Sequence, residues 1–395
     1  MARRKNSGKH VTVAGGTSSV LPALDSLTDL PAFTDLRASE RQLAAWEECV
    51  GHARDDAGDV ADELLMGCVV RLDRGFPAVC TARGTFRAEF SARLTKGDNS
   101  HVAVGDWVCA RVPDTHEMGL IEEVLPRESD IARWRGGSRG ERQTLAANVD
   151  VVLVVQALGE KPVSCDRVAR SAVIARDCGA DVAVVLTKAD RASDEVLERD
   201  VAAVRDVLGF GAPCVLTSSD AERAGGEERD RVATVAAACG VAFGARAVRL
   251  LVPAGVVAIV LGESGAGKST LLNALLGHDT LETGEVRLAD DAGRHTTVSR
   301  RMVSVPDGGI IVDEPGLRSL PIVGHERGLA KVFPEIVEAA RGCRFRDCTH
   351  THEPGCEVRA LFEGGVISEG RLGAYLSLAA EMRSSASTLD PDVVI

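Results

Sequence analysis

Gly262-Glu263-Ser264-Gly265-Ala266-Gly267-Lys268-Ser269, followed by Thr270, fits the pattern of a phosphate-binding loop. The apolar run 256–261 leads into it, and Leu271-Leu272-Asn273-Ala274-Leu275-Leu276 leads away, the strand–loop–helix setting that the chemistry demands. Glycines let the backbone curl around an anion without Cβ clashes, so that successive N–H groups and a helix N-terminus face it. Lys268 is expected to reach the β- and γ-phosphates, and the Ser269 hydroxyl to ligate Mg²⁺.

Three further segments complete a nucleotide site. Ile310-Ile311-Val312 delivers Asp313 to a strand end, where it orients Mg²⁺ through a water, and Gly316 offers an N–H to the γ-phosphate. Asp-x-x-Gly is common by accident; the apolar strand before it and its place 45 residues after Lys268 give it weight. Between the two lies Gly293-Arg294-His295-Thr296-Thr297, a polar loop in which Thr296 or Thr297, with Thr297 preferred, completes the Mg²⁺ shell. His295 reads equally as a solvent-facing loop residue or as a catalytic group. Upstream, Thr187-Lys188-Ala189-Asp190 ends another apolar run. Asp190 there accepts from the N1 and N2 hydrogens of guanine, and the Lys188 stem covers the base. Adenine presents no such donors, and buried groups left unpaired penalise the wrong base by roughly a few kcal/mol. Thr217-Ser218-Ser219 follows a further strand as a base-side loop. The order is therefore guanine reader, base-side loop, phosphate loop, polar loop, Asp-x-x-Gly: a circular permutation of the usual GTPase order, which a parallel sheet tolerates when its old termini are bridged.

Elements follow from texture. Short strand-like pieces at 69–72, 76–80, 85–90, 107–112 and 120–124 predict a small all-β domain, with an OB-like barrel favoured. From Asn148, Val- and Ile-rich runs alternate with helix-length segments, as in a parallel sheet covered on both faces. Helices are expected at 326–340 and 370–382 around a cysteine-rich loop. The predicted division is a variable extension over 1–65, an OB-fold domain over 66–126 and a linker over 127–147. A permuted α/β P-loop domain follows over 148–320, and a small, mainly helical metal-binding domain over 321–395. In the last, Cys343-x4-Cys348-x-His350-x5-Cys356 supplies three sulfurs and an imidazole, with His352 a competing ligand. That inventory suits one closed, structural Zn²⁺ site.

The formal net charge of −12 argues against a protein that coats nucleic acid generally, although local basic runs occur. Arg341, Arg344 and Arg346 flank the cysteines; Arg127, Arg133, Arg135, Arg139 and Arg142 form another run. Trp134 offers a stacking surface, whereas Trp107, in a strand, is expected in the core. Eleven cysteines without a secretory segment or an apolar span predict a reduced, cytoplasmic, non-membrane protein.

Together these motifs resemble the ribosome small-subunit-dependent GTPase A family, RsgA, over about residues 66 to 385. Ala147-Asn148-Val149-Asp150 and the late Cys/His cluster add to the match. The resemblance implies a multidomain enzyme of OB-fold, permuted GTPase and zinc domain; a monomer is expected. It implies GTP hydrolysis with Mg²⁺, stimulated by the 30S subunit during late maturation or checking, and contacts with 16S rRNA. It further implies His350 as the fourth zinc ligand and His295 as the catalytic participant, since Leu317 stands where many GTPases carry a water-aligning Gln. Thr187 replaces a more common Asn with less reach, and Glu314 replaces a Thr. Two rivals remain. An ABC-like ATPase would use Asp313-Glu314 but leaves Asp190 unexplained, and a GTP-regulated rRNA-binding scaffold would have negligible catalysis.

Overall fold

A computed structural model describes residues 29–57, 64–73, 76–95, 102–112, 118–135, 141–209, 211–278, 300–313, 322 and 324–388. Strands β1 (Leu65–Asp73), β2 (Phe76–Thr81), β3 (Gly84–Phe90), β4 (Trp107–Arg111) and β5 (Gly119–Val124), with α2 (Ala92–Thr95) after β3, form the expected barrel. The order β1-β2-β3-β5-β4 closes through β1–β4, the OB-like arrangement. Alternation divides the side chains. Val69, Val79, Ala88, Val108 and Ile121 fill one cluster, while Cys68, Val70, Cys80, Trp107 and Cys109 face the main core.

That second face is covered by residues of the variable extension. Helix α1 (Glu40–Ala57) and the segment before it lie across it. Phe33 meets Trp107 edge-on at 5.9 Å, and the Cys80 thiol donates to Pro31 O. The Gln42 amide donates to Pro126 O at 3.0 Å and to Asn148 Oδ1 at 2.9 Å. The predicted linker likewise holds structure, a hairpin of β6 (Asp130–Arg135) and β7 (Glu141–Ala147).

The α/β part is a sheet of β8 (Val151–Ala157), β9 (Asp181–Thr187), β10 (Cys214–Leu216), β11 (Ala242–Phe243), β12 (Val257–Leu261), β13 (Arg300–Ser304) and β14 (Ile310–Asp313). Its order is β11-β10-β9-β8-β12-β14-β13, parallel except for β13. Strand β13 also pairs with barrel strand β1, so one hydrogen-bonded sheet runs from barrel to core. Helices α3 (Cys165–Asp177), α4 (Asp194–Leu208) and α6 (Glu227–Ala238) bury Ala172, Leu197 and Val232 on one face. Helices α7 (Ala245–Leu251) and α8 (Lys268–Leu276) bury Val248 and Leu271 on the other, and the short α5 (Ser219–Ala224) follows β10.

The C-terminal helices are α9 (Glu326–Val332), α10 (Pro334–Ala340), α11 (Glu357–Glu363) and α12 (Glu369–Thr388). The single helix expected over 326–340 breaks at Phe333, because proline excludes the α conformation from the residue before it; Phe333 has φ −123° and ψ 54°. Helix α12 extends beyond the expected 370–382 at both ends. These helices dock firmly on α3 and α4. Arg371 pairs with Glu335, donates to Val207 O and Val332 O, and stacks on Phe333 at 4.9 Å. Arg170 pairs with Glu381. Helix α9 approaches α3 so closely that a Cβ at Gly328 would lie 2.0 Å from Val173 O. His325 Nδ1 stands 2.9 Å from Asp177. Burial alone would raise the Asp177 carboxyl, but the His325 ring and the Gly328 N–H hold it below the usual range.

Candidate nucleotide site and metal centre

In a parallel sheet every strand delivers its carboxyl end to the same edge, where ligands bind. Strands β9, β10, β12 and β14 end there in Thr187, Leu216, Leu261 and Asp313. The phosphate loop leaves β12 past the backbone of β8, and a Cβ at Gly262 would sit 2.5 Å from Val155 O. Gly265 and Gly267 have φ of 80° and 84°, and Gly267 caps α8 from the left-handed region. Ser269 and Thr270 occupy the first turn of that helix, beside Lys268. The Lys268 ammonium bonds the loop's own carbonyls, Gly262 O at 2.5 Å and Glu263 O at 2.6 Å.

The segment 187–190, expected to read guanine, is tied directly to this loop. Thr187 Oγ1 donates to Ala266 O at 2.7 Å, and Lys188, itself at φ 58°, donates to Gly265 O at 2.7 Å. The shorter hydroxyl thus still spans to the phosphate loop, despite the reach expected to be lost at this position. Ser218 Oγ donates to Asp190 Oδ1, and Ala189 N donates to Thr217 O at 3.1 Å. A cleft of about 140 Å³ lies between the segments, lined by Thr187, Lys188, Asp190, Ser219, Gly267 and Thr270. Glu222 belongs to no motif: its carboxylate accepts from Ser218 N at 3.3 Å and Ala245 N at 2.8 Å, bracing the loop that follows β10. A lone Glu on a short helix gives no spacing signal.

Asp313 is the last residue of β14, opposite Arg301 of β13. His295, Thr296, Thr297, Glu314, Gly316 and Leu317 lie outside the described residues. So do Arg139 and the side chains of Arg133, Trp134, Arg135 and Arg142.

The cysteine cluster passes a stringent geometric test. Cys343 Sγ and Cys356 Sγ are 3.8 Å apart, and each lies 3.5 Å from His350 Nδ1. Metal–sulfur bonds of about 2.3 Å and a metal–nitrogen bond of about 2.0–2.1 Å at tetrahedral angles require roughly 3.8 Å and 3.6 Å. All four candidate ligand atoms, including Cys348 Sγ, fall within 4.8 Å of one another. His350 reaches inward from φ 64° and packs beside Tyr375; burial lowers its pKa, which favours the neutral, ligating imidazole. The exposed His352 instead has Nδ1 2.9 Å from Thr351 Oγ1. Glu353 accepts backbone N–H bonds from Thr349, Thr351 and His352, which shapes the turn between the ligands. Spacing alone leaves both histidines open as ligands; the structure brings His350, not His352, to the three sulfurs.

Comparison with known proteins decides what the site belongs to. The model of the RsgA GTPase family matches residues 124–241 and 244–323. The chain belongs to the RsgA GTPase family. It is 37% identical over 331 residues to the small ribosomal subunit biogenesis GTPase RsgA of Streptomyces coelicolor, covering 84% of each chain. Against the protein of the same name from Leptospira interrogans, identity is 32% over 331 residues, covering 83% of this chain and 85% of that one. The fold is similar to the crystal structure of YjeQ from Thermotoga maritima, with TM-score 0.57 and 23% identity over 81% of this chain and 99% of the other. It is also similar to YloQ, described as a circularly permuted GTPase, with TM-score 0.55 and 20% identity over 82% and 96%. Membership makes the enzyme a GTPase and agrees with the permuted motif order. Among the described residues no helix is long and apolar enough to cross a membrane.

Proposed function

We propose that the protein hydrolyses GTP to GDP and phosphate in step with maturation or checking of the small ribosomal subunit. The observation that carries the nucleotide part is the hydrogen bonding at one sheet edge that joins Thr187 and Lys188 to the phosphate loop and Asp190 to Ser218 of the base-side loop. Asp190, oriented by Ser218, accepts from the guanine N1 and N2 hydrogens, and Ser219 borders the same cleft. Loop N–H groups from Glu263 to Thr270 and the Lys268 ammonium hold the phosphates. Ser269 and Asp313, with Thr297, would hold Mg²⁺, which supplies charge neutralisation of the β- and γ-phosphates. His295 positions the attacking water, and Gly316 contacts the γ-phosphate.

The four-residue cluster takes one structural Zn²⁺, since four protein ligands leave no open coordination position. The curated relatives are named for small ribosomal subunit biogenesis. On that basis the partners are the 30S subunit and its 16S rRNA, in the cytoplasm, met by a monomer. Arg344, over the 41%-exposed ring of Phe345, and Arg346 beside it suit rRNA phosphates and bases.

Guanine specificity has a sharp test. Asp190→Asn converts an acceptor into a mixed donor–acceptor group and is expected to weaken GTP binding by about 3 kcal/mol, roughly a hundredfold. Binding of xanthosine triphosphate, whose C2 carbonyl accepts, should rise in the same variant. Competition titrations with the two nucleotides read both effects, and unchanged GTP affinity in Asp190→Asn would remove Asp190 from the base site.

A further inference from the structure

Glu263 places a carboxylate on the loop built to hold a polyanion. It is the second residue of that loop, and its side chain is 51% exposed. An uncompensated negative charge there repels the nucleotide phosphates, and at so exposed a group added salt screens the repulsion. The two ammonium groups at the loop reach backbone oxygens: Lys268 bonds Gly262 O and Glu263 O, and Lys188, from the end of β9, bonds Gly265 O. The Glu263 carboxylate is met instead from another element. Arg167, in the first turn of α3, directs Nη1 to Glu263 Oε2. Ser164 caps this turn by accepting from Arg167 N at 3.4 Å, and the cap does not involve the guanidinium. Arg167 belongs to none of the nucleotide motifs.

We infer that Arg167 is a positioning residue for nucleotide binding, neutralising Glu263 so that the phosphate loop meets the triphosphate without a repelling carboxylate. The inference rests on the reading of this loop as the GTP site. It makes affinity follow the local net charge of the pair. That charge is zero in the wild type, negative in Arg167→Ala, positive in Glu263→Gln and zero again in the double variant.

The test is titration of a fluorescent N-methylanthraniloyl GTP into the four full-length proteins at low and high salt. Arg167→Ala is expected to bind about three- to tenfold more weakly at low salt, with the difference shrinking as salt rises. Glu263→Gln should bind more tightly than wild type, and the double variant should return to within about twofold of wild type. The loss in Arg167→Ala should appear in KM rather than kcat. Melting temperatures should stay together, because an exposed ion pair contributes little to stability. A double variant as weak as Arg167→Ala would overturn the inference, since it would mean that Arg167 touches phosphate itself or only anchors the loop. Equal affinity of Arg167→Ala and wild type would overturn it too. Failure of the wild type to bind the probe would instead take down the GTP reading, and the inference with it.

Discussion

Lys268→Ala is expected to lower GTP turnover at least about a hundredfold, some 3 kcal/mol of transition-state stabilisation. The ammonium lies at the mouth of the loop on Gly262 O and Glu263 O. Both are backbone acceptors that water replaces when the lysine is removed, so the fold loses little. The phosphates lose a charge-assisted donor, and such bonds gain strength as negative charge moves onto the leaving oxygen. Single-turnover kinetics at saturating GTP, beside a melting curve, separate the two effects. Turnover within a few-fold of wild type in a folded Lys268→Ala protein would move the chemistry away from this loop.

The second large effect concerns folding. Cys356→Ser is expected to abolish zinc retention and to melt the C-terminal region. Structural zinc sites of this kind contribute roughly 10–16 kcal/mol of apparent binding free energy, which is also folding free energy. Cys356 is 6% exposed, and its sulfur caps α11 by accepting from Arg359 N at 3.5 Å. Its loss removes a ligand and a helix start together. Because Arg371, Arg170 and His325 lock the C-terminal helices to α3 and α4, the main domain should melt earlier as well. His352→Ala is the control, since that ring lies outside the cluster, and it should keep about one zinc per chain. Elemental analysis and thermal melts check both variants. Full zinc content in Cys356→Ser would discard the assigned ligand set.

Much of this was legible in the sequence because the relevant signals are local. A strand, a glycine-bearing loop and a helix in succession announce the phosphate site, and the Val/Ile runs announced β8, β9, β12 and β14. The alternation of short strands announced the barrel. What is faint or missing depends on distant partners. The helical pattern after Leu43 is weakened by Gly51 and a run of acidic residues, and α1 is held by bonds to Pro126 and Asn148 far along the chain. The hairpin β6–β7 carries Arg133, Arg135 and Arg142 in place of a Val- and Ile-rich alternation, so its sequence reads as a basic run rather than as strands. Thr187 read as a weakened guanine-site residue, yet its hydroxyl finds Ala266 O, an acceptor 79 residues away. Glu222 and Arg167 act through Ser218 and Glu263, contacts that no spacing rule encodes.

The central claim is GTP hydrolysis stimulated by the small ribosomal subunit. The most direct measurement is turnover of GTP and of ATP by the purified protein, with and without purified 30S subunits, under conditions where binding to the subunit is verified. Hydrolysis is expected to be selective for GTP, slow alone and rising strongly on addition of 30S, with the rise lost in His295→Ala. GTP-dependent binding to 30S without any rise in turnover would contradict it and leave a GTP-regulated scaffold; selectivity for ATP would contradict the guanine site itself.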